Sequence, residues 1–240
     1  MPDSTKRYQA VKHALIEDVR HARWKQGERI PSEPSLARRF SVSVGTIRQA
    51  MGELVAEHVL VRQQGRGTFV ATYTRDYLLN VFFPFVDRND MKRLPESRML
   101  DFRKVSATRE VALALALHAG TPVYSIDHLM SFAGDPVIFD RIRLPVVRFA
   151  GLDRHRIEQR DGTFFGLYQQ HFAVSVLKTV ERLVAVAADA RTAALLEVAP
   201  GSPVLKVTRI ALSYRDAPVE LRTRFVKTDD IAYLSVLGKR

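Results

Sequence analysis

The sequence contains no cysteine. That absence removes disulfide frameworks, thiolate zinc sites, iron–sulfur clusters and cysteine nucleophiles at once, and it suits a reducing compartment. Long apolar runs are missing too: no stretch approaches the roughly 20 residues that a membrane-spanning helix needs. The opening residues, Met1-Pro2-Asp3-Ser4-Thr5-Lys6-Arg7-Tyr8, are polar where a secretory leader would be apolar. A soluble, cytoplasmic protein with no membrane partner is expected. Charged residues make up 26% and apolar ones 46% of 240, which excludes disordered and collagen-like chains and is enough for one large core or two ordinary ones.

Positive charge is plentiful. Lysine and arginine number 37 against 26 acidic residues, a formal net charge of +11, and the isoelectric point is near 10.2. Such a balance favours a polyanionic partner, nucleic acid before membrane surface. Residues 1–72 hold 12 basic and 7 acidic side chains, and residues 73–240 hold 25 and 19. Nearly half the excess therefore sits on under a third of the length, although a generally basic surface would give similar totals.

Residues 1–72 read as three helices and a hairpin. The first helix is expected over Arg7–Arg23, with Tyr8, Val11, Leu15 and Val19 on one face, and Gly27 stops it. Ser32 can cap a second helix carrying Leu36, Ala37 and Phe40, with Pro34 in its first turn. Ser43 can cap a third, from Val44 to about Glu57. Two short strands, Val59–Arg62 and Thr68–Val70, flank Gln63-Gln64-Gly65-Arg66-Gly67, where glycine permits a tight turn. Residues 73–80 read as a linker.

Residues 81–240 change character, with frequent β-branched and aromatic runs. Two segments resemble each other: Gly120-Thr121-Pro122-Val123 through Asp135-Pro136-Val137, and Gly201-Ser202-Pro203-Val204 through Ala217-Pro218-Val219. Each follows an Ala/Leu-rich helical stretch. A helix and a long hairpin occurring twice predicts an α+β domain with an antiparallel sheet and rough internal symmetry. A further short helix is expected within Gly162–Phe172.

The helices at 33–57 have helix-turn-helix spacing, and the hairpin lies where a wing would follow. On the third helix Ile47, Ala50, Met51 and Leu54 must pack inward, which leaves Gly45, Arg48, Gln49 and Gly52 outward with Thr46 on the flank. Small residues let a helix approach a groove, while Arg48 and Gln49 can donate to base edges or phosphates. Thr46, early in the helix, suits a phosphate, and Arg66 at the wing tip can enter a minor groove.

The run Ile30-Pro31-Ser32-Glu33, Leu36-Ala37-Arg38-Arg39-Phe40, Val42-Ser43, Thr46-Ile47-Arg48-Gln49-Ala50, Leu54 and Gly65-Arg66-Gly67-Thr68-Phe69-Val70 resembles the GntR family of bacterial transcription regulators. The resemblance implies a winged helix-turn-helix acting as a homodimer on double-stranded, inverted-repeat operator DNA, with Ser32, Glu33, Arg38, Ser43, Thr46, Arg48, Gln49, Arg66 and Gly67 at the interface. Val44 stands where many members carry a base-reading arginine, so an operator sequence cannot be carried over.

Residues 80–240 resemble the UTRA domain of the HutC branch, which shares a fold with chorismate lyase. The matches are Pro95-x-Ser97-Arg98, the two proline hairpins, Asp140, Leu167-Tyr168, Val180-Glu181-Arg182 and Pro218-Val219-Glu220-Leu221-Arg222. They imply an effector pocket built from Ser97, Arg98, His128, Asp140, Tyr168 and Glu220. Phosphosugar-binding members place an Arg-x-Arg pair six and eight residues before the hairpin proline; here those positions are Met130 and His128. That departure leaves Arg98 as the single cationic anchor beside two carboxylates, and implies a carboxylate-bearing or otherwise polar metabolite. No metal or cofactor is expected. Cross-strand pairing of Asp140 and Glu220 with Arg141, Arg143 or Arg222 is the structural alternative.

An enzyme is the rival class, with Asp140 and Glu220 as an acid/base pair. No metalloprotease, nucleophile-elbow or phosphate-loop motif supports it. A DNA-binding protein without a ligand is the other alternative. The favoured reading is a transcription repressor whose operator affinity responds to a small metabolite.

Overall fold

The computed structural model describes residues 4–21, 23–72, 81–160 and 162–235. The expected linker, 73–80, lies outside the described residues. The chain forms two compact units that divide between Tyr73 and Thr74.

The first unit holds α1 (Ser4–Arg20), α2 (Glu33–Phe40), α3 (Val44–Ala56), β1 (Leu60–Gln63) and β2 (Gly67–Val70). The Ser32 hydroxyl accepts from the Ser35 N–H at 3.4 Å and the Ser43 hydroxyl from Thr46 N–H at 3.1 Å, each satisfying a donor that a helix start leaves open. Ser41, left-handed at φ 52°, ends α2 and sets the turn into α3. Ile47, Ala50, Met51 and Leu54 are buried on one side of α3, as periodicity requires. The first helix ends three residues earlier than expected. Its buried line is Val11, Leu15, Ile16 and Asp18, because the Asp18 carboxylate turns in to pair with Arg23 and Arg39 at 2.9 and 2.8 Å. β1 and β2 pair antiparallel, and Arg29 adds a bridge to Phe69. Gly67 has a φ of +115°, which favours glycine, and a Cβ there would also crowd the end of the Arg29 side chain at 2.7 Å.

In the second unit β3 (Phe85–Asp87) pairs with β10 (Ile231–Tyr233). The main sheet consists of β4 (Glu96–Ser106), β5 (Pro122–Phe132), β6 (Asp135–Pro145), β7 (Lys178–Ala187), β8 (Pro203–Leu212) and β9 (Pro218–Val226). Its order is β4-β5-β6-β9-β8-β7, antiparallel throughout. The two hairpins, β5–β6 and β8–β9, meet at the centre. Each follows a strand and a short helix, α4 (Arg109–Ala114) or α7 (Ala190–Leu196), capped by Thr108 and Asp189. The repeat is thus a strand, a helix and a hairpin, one strand longer than the sequence repeat suggested.

The α7 residues Ala193 and Leu196 pack on Leu129, Phe139 and Val204, and Ala112 of α4 clusters with Val123 and Leu221. These side chains belong to one face of the sheet, since directly paired residues share a face. The other face carries His128, Asp140 and Arg224, opposite one another across β5, β6 and β9. Over it lie α5 (Arg154–Glu158) and α6 (Phe164–Phe172), with Phe164 edge-on to His128 at 5.2 Å between centroids.

Candidate functional site

Two sets of residues were expected to be functional, one in each unit. In the first, Arg48 and Gln49 are exposed on α3, as is Gly45. No heavy atom lies within 4 Å of a Cβ built on Gly52, so that side of the helix is open. The Thr46 hydroxyl is 2.9 Å from that of Ser43 at the helix start. Glu33 opens α2 and its carboxylate accepts from Arg48 Nε at 3.0 Å and from Arg62 of β1 at 3.3 Å. One acidic side chain therefore joins the start of α2, the outward face of α3 and the first wing strand. Ser32, Arg38 and Arg66 are exposed, Ser43 is exposed at the cap of α3, and Arg66 lies 5.9 Å from the Phe69 ring centroid. The half-buried Gly67 closes the wing turn.

In the second unit a cleft of about 540 Å³, its mouth included, opens over the face that carries Asp140. Its polar lining is dominated by four guanidiniums, Arg160, Arg209, Arg222 and Arg224, and its apolar lining by Phe82, Phe83, Phe164 and Phe165. The arginines stack on the rings: Arg160 lies 4.4 Å from the Phe164 centroid, Arg222 5.3 Å from the same ring, and Arg224 5.5 Å from Phe83. Such contacts hold a planar cation where water is scarce.

Behind this lining is a buried ion network. Asp140 accepts from Arg224 Nε and Nη2, both at 2.7 Å, and from Arg222 Nη1 at 2.9 Å. Glu220 accepts two bonds from Arg222, both at 2.9 Å, and one from the Tyr168 hydroxyl at 2.5 Å. Arg209 pairs with Glu181. Burial alone would raise the Asp140 pKa, but the Arg224 and Arg222 guanidiniums outweigh it and hold the carboxyl well below the usual range. Burial, reinforced by the Glu220 charge, pushes the Tyr168 phenol well up.

Arg160 differs from the other three. Its partners are neutral: the Ile157 carbonyl at 2.5 Å, Ser97 Oγ at 2.8 Å and His128 Nε2 at 2.8 Å. Arginine only donates, so His128 must accept through Nε2 and carry its proton on Nδ1. Burial, with Arg160 beside it, lowers the His128 pKa to about 3, and the ring is neutral at physiological pH. Burial also brings Arg160 down to about 10, which leaves it charged.

The six expected pocket residues therefore fall into three places. Ser97 lines the cleft. Arg98 is exposed on β4 and lines an adjoining polar recess that shares Ser97 and Arg160 with the cleft and also contains Glu158. His128, Asp140, Tyr168 and Glu220 are buried together behind the guanidiniums and do not line the cleft. The expectation of one cationic anchor facing two free carboxylates is corrected: four guanidiniums line the cleft, and both carboxylates are already bonded to them. Arg222 and Arg224 could have been found, because residues at spacing two on a strand share the face of Glu220. Arg160 lies between two short helices with no periodic signal. Among the described residues no cluster of His, Asp and Glu offers a metal site, and no helix is long and apolar enough to cross a membrane.

Comparison with known proteins gives the two units their families. Residues 7–70 match the bacterial regulatory proteins of the gntR family, and residues 90–232 match the UTRA domain. A transcriptional repressor of Escherichia coli strain K12, named for a fructoselysine utilization operon, is 26% identical over 234 residues, 97% of this chain and 95% of its own length. The crystal structure of the ligand-binding domain of a regulator assigned to the GntR family, from Bordetella bronchiseptica, is 34% identical. It covers 70% of this chain and 100% of its own, with a TM-score of 0.62. PhnF from Mycobacterium smegmatis, 21% identical, shares the fold over 96% of this chain and 100% of its own, with a TM-score of 0.56. GntR-type helix-turn-helix proteins bind operator DNA and UTRA domains bind small-molecule effectors, so the chain belongs to the UTRA-bearing members of the GntR family and is a transcription regulator, not an enzyme.

Proposed function

We propose that this protein is a cytoplasmic repressor of the HutC branch whose hold on an inverted-repeat operator is controlled by a small molecule in the arginine-lined cleft. The observation that carries the reading is Arg224: it is 2% exposed, borders the cleft, and its Nη1 is buried with no hydrogen-bond partner. A buried polar atom left unbonded is costly, and a ligand in the cleft can satisfy it. Arg48, Gln49 and Thr46 read or position DNA in the major groove, Ser32, Arg38 and Ser43 contact the backbone beside it, and Arg66 with Gly67 reaches the minor groove. Glu33 acts through Arg48 and Arg62, whose guanidiniums it orients. Repression follows the named relative.

Specific binding by one short helix reads few base pairs, so two copies are needed to cover two half-sites. The two edges of the main sheet differ. β4 carries Glu96, Arg98, Asp101, Arg103 and Lys104, charges that discourage pairing, whereas β7 exposes Val180, Leu183 and Val184 beside only two exposed charges, Lys178 and Arg182. A second copy pairing along β7 accounts for that contrast. Val180→Lys with Val184→Lys should turn the dimer into a monomer in sedimentation at micromolar concentration; an unchanged dimer places the interface elsewhere.

The central test is a thermal-shift screen of small metabolites, followed by operator binding measured by fluorescence anisotropy. An effector at 100 times its dissociation constant should add about 2.7 kcal/mol of stability and alter operator affinity. Ligands that stabilise the protein and leave operator affinity unchanged would refute the regulatory reading.

A further inference from the structure

The charges around the cleft do not balance. Three of the four lining guanidiniums have carboxylate partners: Arg209 has Glu181, Arg222 has Asp140 and Glu220, and Arg224 has Asp140. Arg160 is held by a carbonyl, a hydroxyl and an imidazole, none of which carries charge. Its Nε is buried and bonded to nothing. The four cations thus face three anions, and the excess falls on Arg160, partly buried as a residue and buried at Nε, where an ion of opposite sign in the cleft would complete it.

From this we infer that the effector carries a single negative charge, seated against Arg160 beside Ser97, on a flat apolar body that packs among the cleft phenylalanines. The inference rests on the reading of the cleft as the effector site and names the chemistry of its occupant. One charge follows from one uncompensated guanidinium. A dianion would exceed the available cation by one, unless it drew Arg222 or Arg224 away from Asp140 and left that buried carboxylate short of partners. A neutral molecule would leave Arg160 without a counter-charge. The unbonded Arg224 Nη1 supplies a second donor that can meet the anion or a polar substituent. The apolar body is indicated by Phe82, Phe83, Phe164 and Phe165, whose rings surround the guanidiniums.

Benzoate, benzamide and phenyl phosphate share one ring and differ mainly in the charge of the head group, so they test this directly. With the full chain, benzoate should raise the thermal midpoint in a saturable way, phenyl phosphate less at equal concentration, and benzamide not at all. Arg160→Gln should weaken the apparent affinity for benzoate by about tenfold or more, as expected for the loss of a charge-assisted hydrogen bond, and Arg160→Lys should recover part of it. A response to benzamide or phenyl phosphate equal to that of benzoate, no response to any of the three, or an unaltered benzoate response in Arg160→Gln overturns the inference. The comparison of probes on the wild-type chain decides the matter even if the variant folds poorly. Benzoate binding that leaves operator affinity unchanged would count against effector control alone, whereas operator release by a neutral or dianionic metabolite, retained in Arg160→Gln, would count against the single-anion inference alone.

Discussion

The two candidate sites place their arginines in opposite ways. In the first, Arg48 and Arg62 are 64% and 49% exposed in their side chains and share one carboxylate, Glu33. In the second, Arg209, Arg222 and Arg224 are nearly buried and bonded to acidic groups on neighbouring strands. On the proposed reading, the difference follows from the partner each set of arginines meets. DNA is a large polyanion that supplies its own counter-charges, so cations waiting for it can remain solvated. A small molecule can supply only a few contacts, and the protein must hold its cations rigidly and dry before the ligand arrives.

The contrast breaks most sharply at Arg222. Arg222→Ala leaves Asp140 and Glu220 short of partners, and chemical unfolding of the full chain should show a loss of about 3–5 kcal/mol. Arg48→Ala should leave unfolding unchanged, since an exposed ion pair contributes little.

Acidification is next. His128 titrates near 3 in the folded chain, against an ordinary imidazole value of 6.5. Below pH 6.5 the unfolded chain binds the extra proton and the folded chain does not, so stability falls as pH is lowered towards 3. Between pH 7 and 5 this one group should account for about 2 kcal/mol. His128→Asn should flatten the profile by that amount; an identical slope in the variant would show that the imidazole is not held neutral.

On operator DNA Arg48→Ala should cost about 1–3 kcal/mol in anisotropy titrations. An equal loss on random DNA would make Arg48 a phosphate contact. Ser43→Ala should cost about 1 kcal/mol of stability in the first unit through the lost cap. The smallest effect is expected at Glu33. Glu33→Gln should change stability by less than about 1 kcal/mol while raising affinity for random DNA more than for operator, because it frees two guanidiniums and removes their orientation.

How legible each unit was in the sequence follows from the same contrast. The first unit is built from local rules. Ser32 and Ser43 cap, Gly67 turns, and Ile47, Ala50, Met51 and Leu54 repeat at helical spacing, so the wing, the inward face and the outward Arg48 and Gln49 all followed from short stretches of chain. The α1 boundary was less exact, because Asp18 near its end is buried against Arg23 and against Arg39, which comes from another helix.

For the second unit the repeated hairpins determined an antiparallel sheet with internal symmetry. Their spacing placed Asp140 and Glu220 on equivalent strands, but it did not say which way their charges would be met. That was decided by the joining of β6 to β9, which brings Arg222 and Arg224 to Asp140 over sequence separations of 82 and 84 residues. Arg160 depends still more on tertiary structure. It reaches Ser97 and His128 from a connection between helices, where neither period nor motif marks a residue. Composition, caps and periodicity are properties of neighbours along the chain, and they determined the elements of the first unit and the outward face of α3. The sign and number of free charges in the cleft depend on pairings between distant strands, and only the folded sheet could decide them.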